Sequence, residues 1–261
     1  MNTLMGQVAI ISGGAGDIGA AIAHELARRG ADIALGDLRE PEAAELLLEQ
    51  VHALGRRGRY DRVDVSDAEA VGEWLRKVET DLGVPTLIIP NAAIVTLKGI
   101  CILTADEWNR ELQVNLNGAF YLAQAGAQRL LYHQQPGRIV FIGSWAAHAV
   151  HTRLPAYCVA KAGLRMLCRC MALELAPFGI TVNEVAPGYV DAGLSGRIFG
   201  EDPRQREKAA KAVPNGALIK PDEVARQVAH LCDPDNRHMT GSVLLMDGGL
   251  SLISPGGTRD D

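Results

Sequence analysis

The sequence predicts an α/β fold, a single domain over residues 1–261 built on a doubly wound, mainly parallel sheet of seven strands. Three observations lead there. Short runs rich in Val and Ile alternate with longer stretches of helical period, the pattern of strands joined by crossover helices. The strand runs VAIIS, TLIIP and RIVFI do not alternate apolar with polar residues, as expected when helices cover both faces of a sheet. A glycine-rich turn leads from the first such run directly into a helical stretch.

The elements follow in chain order. The first strand, Val8 to Ser12, runs through the glycine turn into a helix from Ile18 to Arg29. A second strand at Asp32 to Gly36 precedes a helix from Pro41 to Leu54, and a third at Arg59 to Val63 precedes one from Asp67 to Leu82. The fourth strand, Thr86 to Pro90, is followed by a long helix from Thr104 to Leu131, and the fifth, Arg138 to Ile142, by a helix from Pro155 to Phe178. Thr181 to Ala186 forms the sixth strand. The polar stretch 191–215 then carries no strand signal and is expected to be a substrate lid. A helix from Pro221 to Cys232 and a last strand at Val243 to Met246 complete the sheet.

Bulk composition excludes several classes of function. With 26 Lys and Arg against 31 Asp and Glu the formal charge is -5, without the basic surplus of a nucleic-acid binder. No apolar run approaches the roughly 18 to 20 residues that cross a bilayer. The amino terminus lacks a basic start, a long apolar stretch and a small-residue cleavage site. Five scattered cysteines, an odd number, read as free thiols of a reducing compartment, so a cytoplasmic location is expected.

Ligands of doubly wound sheets bind beyond the carboxyl ends of the strands, so the residues just past each strand carry the functional reading. After the first strand stand Ser12, Gly13, Gly14, Ala15, Gly16, Asp17, Ile18 and Gly19. Glycines let a backbone approach a pyrophosphate, whose charge is met by free amides at the helix start. About twenty residues on, Asp37 ends the second strand, where a carboxylate can hold the adenosine ribose hydroxyls. Strand, glycine turn, helix and acidic residue together point to a dinucleotide. Asp64 follows the third strand beside the expected adenine, with Val65 next to it; because Ser66 or Asp67 could cap the following helix, Asp64 is left for the ligand.

A second group carries chemistry. Tyr157 and Lys161 lie four apart in a helical stretch, one turn apart on one face. A cation there, with the positive charge of an oxidised nicotinamide, would favour tyrosinate over phenol, whose ordinary pKa is about 10. Ser144, past the fifth strand, could hydrogen-bond a substrate oxygen. Asn115 is a polar residue in an otherwise apolar helical stretch and needs a hydrogen-bonding partner.

These segments resemble the short-chain dehydrogenase/reductase family in its compact form, along nearly the whole chain. The family's TGxxxGxG turn corresponds to Ser12, Gly13, Asp17 and Gly19, and its NNAG segment to Pro90, Asn91, Ala92 and Ala93. Its catalytic set falls on Asn115, Ser144, Tyr157 and Lys161, its NxxxPG segment on Asn183, Pro187 and Gly188, and its carboxyl-terminal DGG on Asp247, Gly248 and Gly249. The resemblance implies a Rossmann-type fold and hydride transfer between a nicotinamide and an alcohol or ketone carbon. By it Tyr157 is the general acid/base, Lys161 lowers its pKa and binds the nicotinamide ribose, Ser144 positions the reacting oxygen, and Asn115 holds a relay water. Asn91, Pro187, Gly188 and Val190 join the cofactor-binding candidates, and a homotetramer built through the helices of Asn115 and Tyr157 is implied. Three departures stand out: Asp17 in place of a glycine, Pro90 and Ala93 in the NNAG segment, and Ala192 where a threonine is common.

The cofactor is expected to be NAD rather than NADP, because Asp37 would repel a 2′-phosphate, with Arg39 as the residue that could reverse this. The segment between Ser144 and Tyr157 should border the substrate. Trp145, His151 and Arg153, with Tyr189 from beyond the sixth strand, are its candidates, and Arg153 could either grip an acidic group or pair with Glu201 or Asp202. The reading is an NAD-dependent dehydrogenase/reductase of a polyol, sugar or hydroxy acid. The alternatives are a 3-oxoacyl or steroid-type ketoreductase of the same family and a non-catalytic NAD(H)-binding sensor. His148 and His151 lack further ligands, so no metal is expected.

Overall fold

The structure, a computed structural model, describes residues 3–194, 196 and 202–253. Seven strands form one sheet: β1 (Val8–Ser12), β2 (Asp32–Asp37), β3 (Gly58–Arg62), β4 (Leu87–Ile89), β5 (Gly137–Ile142), β6 (Ile180–Pro187) and β7 (Val243–Met246). Their order is β3-β2-β1-β4-β5-β6-β7, and every neighbouring pair is parallel. Each lies within two residues of its expected ends. The order reverses between β1 and β4, which opens a crevice at their carboxyl ends.

Two cores flank the sheet because each central strand sends alternate side chains to opposite faces. Ala9 and Ile11 of β1 join one core with α1 (Asp17–Arg28), α2 (Glu45–Ala53) and α8 (Pro221–Leu231), whereas Val8 and Ile10 join the other. That second core packs α3 (Ala68–Asp81), α5 (Ala119–Tyr132) and α6 (Pro155–Leu175) around Trp74 and Phe141. A strand buried on both faces has no polar side to show, which is why its sequence does not alternate.

Three helical expectations need correction. The long helix expected from Thr104 to Leu131 is α4 (Ala105–Leu112) and α5 separated by a π-helical turn at Gln113–Gly118. The cause is Asn115, whose side chain accepts from Ile94 N and donates to Ile94 O, both at 2.8 Å. Widening the turn keeps this buried amide aimed at the loop after β4, a tertiary contact that local periodicity does not encode. Gly118 permits it, since a Cβ there would stand 2.8 Å from Val65 Cγ2.

The stretch expected as a substrate lid, with no helix expected in it, holds a helix, α7 (Pro203–Ala212), capped by Asp202, which accepts from Arg204 N at 2.9 Å. Only Ala209 is buried in PRQREKAAKA, so no apolar stripe announced it; helix-favouring Ala, Lys, Arg and Glu with Pro at the start carry it. The remainder of 191–215 lies partly outside the described residues. The helix expected from Pro41 begins as a 3-10 turn at Pro41–Ala44 before α2.

Candidate active site

At the crevice, Ser12 and Asn91 clasp the ends of β1 and β4. Ser12 Oγ accepts from Asn91 N and Ala92 N at 3.0 and 3.1 Å, and Asn91 Nδ2 donates to the carbonyls of Ser12 and Gly13. The turn between them needs glycine for reasons that differ by position. Gly13 has φ +64°, and a Cβ on it would stand 2.9 Å from Ala92 Cα. At Gly14 a Cβ would press on Leu35, and at Gly19 it would overlap the carbonyl of Gly13, so these two serve packing. Gly16 is the N-terminal cap residue of α1, and no side chain caps that helix.

A cavity of about 730 Å³ runs from this turn to the end of α6. Gly13, Gly16, Asp17, Ile18 and Gly19 line one end, with Asp37, Asp64 and Val65 beside them. Asn91, Pro187, Gly188 and Val190 line its middle. Ser12 and Gly14 are not among its lining residues: Ser12 is engaged in the clasp and Gly14 packs against Leu35.

The two acids of this end are engaged with protein. Asp37 accepts from Ala15 N at 3.2 Å and from Arg39 N at 3.3 Å, while the Arg39 guanidinium donates to Ala15 O at 2.5 Å. Asp67 caps α3, but Asp64 is not thereby freed: it accepts from Ser66 N and Ser66 Oγ and faces Arg110 at 3.5 Å. Those bonds hold its carboxyl below the usual range despite burial, which raises it. Asp17, the departure at the turn, accepts from Gly193 N at 2.8 Å and so ties α1 to the segment past β6.

A glycine cradle, an uncapped helix start and an acid at the end of β2, lined up along a sheet's switch point, fit a nicotinamide dinucleotide.

At the other end Ser144, Tyr157 and Lys161 converge on the cavity. Ser144 follows β5, is 7% exposed, accepts from Ala146 N at 3.1 Å and hydrogen-bonds the Tyr157 phenol. Lys161 Nζ stands 5.6 Å from the Tyr157 ring centroid and donates to Ile142 O at 2.8 Å. Burial pushes the Tyr157 phenol up to about 12, against the Ser144 hydrogen bond, and pushes Lys161 down to about 8, against the pull of Glu184. In the protein alone desolvation outweighs the Ser144 hydrogen bond, so Tyr157 holds its proton. Asn115 is off the cavity, bound to Ile94 behind it.

Trp145, His151 and Tyr189 form one aromatic wall beside Ser144. The Trp145 indole meets His151 and Tyr189 edge to face, with ring centroids 4.5 and 5.3 Å apart. His151 Nε2 is buried with no hydrogen-bond partner, and burial lowers the ring's basicity, so it sits neutral. Arg153 lines the cavity and is exposed.

Sequence reasoning missed the apolar wall of Ile94, Val95 and Leu97 after β4, because that loop carries no regular period. It also missed buried Glu111, in α4 one turn before Asn115, which accepts from Thr96 N at 3.1 Å and leaves Oε1 unpartnered. A lone acid on an amphipathic helix gives no signal of burial. Among the described residues no His, Cys, Asp or Glu cluster could hold a metal ion.

The family model described as enoyl-(acyl carrier protein) reductase matches residues 13–251. The 3-oxoacyl-(acyl-carrier-protein) reductase FabG of Pseudomonas aeruginosa is 33% identical over 250 residues, 96% of this chain and 99% of that protein. Among solved structures, an NAD+-bound xylitol dehydrogenase matches with a TM-score of 0.88 at 30% identity, covering 94% of this chain and 99% of that one. A putative 2-deoxy-D-gluconate 3-dehydrogenase from Agrobacterium tumefaciens with bound NADP matches with a TM-score of 0.86 at 27% identity, covering 97% and 99%. With the glycine turn, the seven-stranded sheet and the Ser, Tyr and Lys cluster already in place, these likenesses establish that the chain belongs to the short-chain dehydrogenase/reductase family and is an NAD(P)-dependent oxidoreductase.

Proposed function

We propose that the protein is an NAD-dependent dehydrogenase/reductase that interconverts a secondary alcohol, of the polyol, sugar or hydroxy-acid class, with its ketone or lactone. The observation that carries this reading is one continuous cavity with Asp37 at one end and Ser144, Tyr157 and Lys161 at the other. The bound nicotinamide supplies the hydride acceptor or donor. The chain's residues manage the proton. In oxidation Tyr157 takes the proton of the substrate hydroxyl, and in reduction it returns one to the carbonyl oxygen. Ser144 donates to the same oxygen as charge develops on it. Lys161 holds the cofactor ribose and supplies positive charge; with the charge of oxidised nicotinamide it offsets the desolvation that keeps Tyr157 protonated. Asn115 braces the β4 loop and serves the proton relay through Lys161.

Asp37 supports NAD, since a carboxylate at the end of β2 would repel a 2′-phosphate, and the Arg39 guanidinium donates to the Ala15 carbonyl. The substrate class rests on Arg153. Among the described residues it has no ion pair or hydrogen bond, and Asp202, one of its two expected partners, bonds Arg204 instead. The other, Glu201, lies outside the described residues. A guanidinium lining this cavity suits a carboxylate or another anionic group. The 3-oxoacyl alternative draws on the FabG likeness and on the apolar wall at Ile94, Val95 and Leu97. A homotetramer is also proposed: Val159, Met166 and Leu173 of α6, seven residues apart, are 49, 56 and 83% exposed, an apolar stripe for a second copy.

Tyr157→Phe is expected to lose at least about a hundredfold in kcat while NADH binding, followed by fluorescence, persists; retained turnover would refute the proton-transfer role. Comparing kcat/KM with the two cofactors should favour NAD by at least about tenfold, equal to about 1.4 kcal/mol; an NADP preference would show that Arg39 prevails over Asp37. Arg153→Ala should raise KM for an acid-bearing alcohol at least about tenfold, the scale of a charged hydrogen bond, and leave a neutral polyol unaffected. Equal effects on both would end the anion-pocket reading. Light scattering at micromolar concentration should give four times the 27.9 kDa chain mass, and a monomeric mass would overturn the assembly.

A further inference from the structure

Glu184 sits in β6 with 0% of its surface exposed, in a strand buried on both faces. An unpaired charge there would cost several kcal/mol. Its partner is Arg165, which grips it as a fork: Nε reaches Oε2 and Nη2 reaches Oε1, each at 3.0 Å. Arg165 belongs to α6, four residues past Lys161 and eight past Tyr157, so the three side chains rise from successive turns of one helix face.

The pair lies directly under the turn that presents Ser144. Arg165 Nη2 also reaches the Ser144 carbonyl at 3.4 Å, and Nη1 stands 3.5 Å from His148 Nδ1. The Glu184 carboxylate fills the space beside Gly143, where a Cβ would overlap Oε1. Gly143 N donates to Val185 O at 2.8 Å, and Lys161 Nζ donates to Ile142 O at 2.8 Å. Residues 142, 143 and 144 are thus held in turn by Lys161, by β6 and by Arg165.

We propose that Arg165 and Glu184 are positioning residues, a buried pair that fixes the Ser144 turn and supplies the counter-charge to Lys161. The proposal rests on the catalytic roles given above to Ser144 and Lys161. A purely structural role is a poor account of the pair, since well-packed apolar side chains would fill the same volume at no greater cost. What apolar side chains cannot do is oppose the desolvation of Lys161, and Glu184 does so. Among the described residues, the other titratable or charged groups around this cluster include Tyr157, Cys158, Cys168 and Arg169 on α6, His148 after Ser144 and, toward Tyr157, Glu111 of α4. Glu111 is a carboxylate that acts on Tyr157, whereas Glu184 is the one that raises Lys161.

The sign follows from the charge. Removing the Glu184 carboxylate lowers the pH at which Lys161 loses its proton, below the value of about 8 it has in the protein. The test compares wild type with Glu184→Gln, Arg165→Lys and the double variant Arg165→Met/Glu184→Met. Lys161 is titrated by NMR on protein carrying 13Cε-labelled lysine, with Lys161→Met to assign its signal. Turnover is followed in both directions against pH, and thermal unfolding serves as the folding control. Glu184→Gln, which removes one negative charge and leaves the Arg165 cation beside Lys161, should shift the Lys161 midpoint downward by about one pH unit, the scale of a close charge removed, whereas the double variant, which removes one charge of each sign, should shift it less. They should lower kcat at neutral pH about tenfold, with KM changed less than about twofold, because a positioning defect acts in the transition state. The double variant should unfold near the wild-type temperature. Arg165→Lys keeps a cation but loses the fork, and should recover part of the rate and all of the Lys161 midpoint. A double variant with wild-type kcat, together with an unmoved Lys161 midpoint in Glu184→Gln, would overturn the proposal and leave the pair a packing device. Because the NMR titration needs no substrate, a failure of the proposed function, seen as a fully active Tyr157→Phe, is distinguishable from a failure of this pair.

Discussion

The architecture of the site depends on the clasp between the ends of β1 and β4. At the switch in strand order the two chains diverge, and a crevice opens only if their ends are held close while the connections leave in opposite directions. Ser12 does this with one hydroxyl that accepts two amides, and Asn91 with one amide that donates to two carbonyls. Their approach forbids a Cβ at Gly13 and sets where α1 begins. On one side of the clasp lie the glycine turn and Asp37; on the other, the β4 loop leads to Ile94 and the amide of Asn115. A hydroxyl read from sequence as a ligand contact thus matters through the backbone it ties down.

Most of the fold was legible because a strand buried on both faces leaves an unmistakable trace in composition. VAIIS and RIVFI have little alternative as short β-branched and aliphatic runs between turns. The misses share a cause. The π-helical turn at Gln113–Gly118 is decided by a hydrogen bond to Ile94, twenty-one residues away in sequence, and α7 by capping and propensity without an apolar stripe. Where a tertiary contact or a solvated surface sets the structure, local periodicity has nothing to report.

The candidate site divides in the same way. Ser144, Tyr157 and Lys161 were legible from spacing and from their places past strands, and the structure brings them to one cavity wall. Asp64 lines the cavity but also holds Ser66, a contact the sequence did not show, because Ser66 has two donors and turns back to it even though Asp67 takes the helix cap. Glu184 left a sign in the sequence, a charged residue inside ITVNEVAP, but its partner lies nineteen residues away on a helix that carries two arginines, Arg165 and Arg169. Only the fold shows which of them turns inward.

Burial gives the site its electrical character. Desolvation drives Tyr157 and Lys161 both toward their neutral forms, one up to about 12 and the other down to about 8. A cation and a phenolate on adjacent turns of α6 would stabilise each other, but neither is favoured without further charge nearby. The protein supplies a carboxylate behind Lys161 and a hydroxyl in front of Tyr157; a positively charged nicotinamide would add the remaining pull toward tyrosinate. On this account the low dielectric that suppresses ionisation in the resting protein also makes Tyr157 responsive to the redox state of the cofactor. In the proposed reaction the phenol would keep its proton where reduction needs an acid and give it up where oxidation needs a base, because the charge that decides between them would arrive and leave with the nicotinamide.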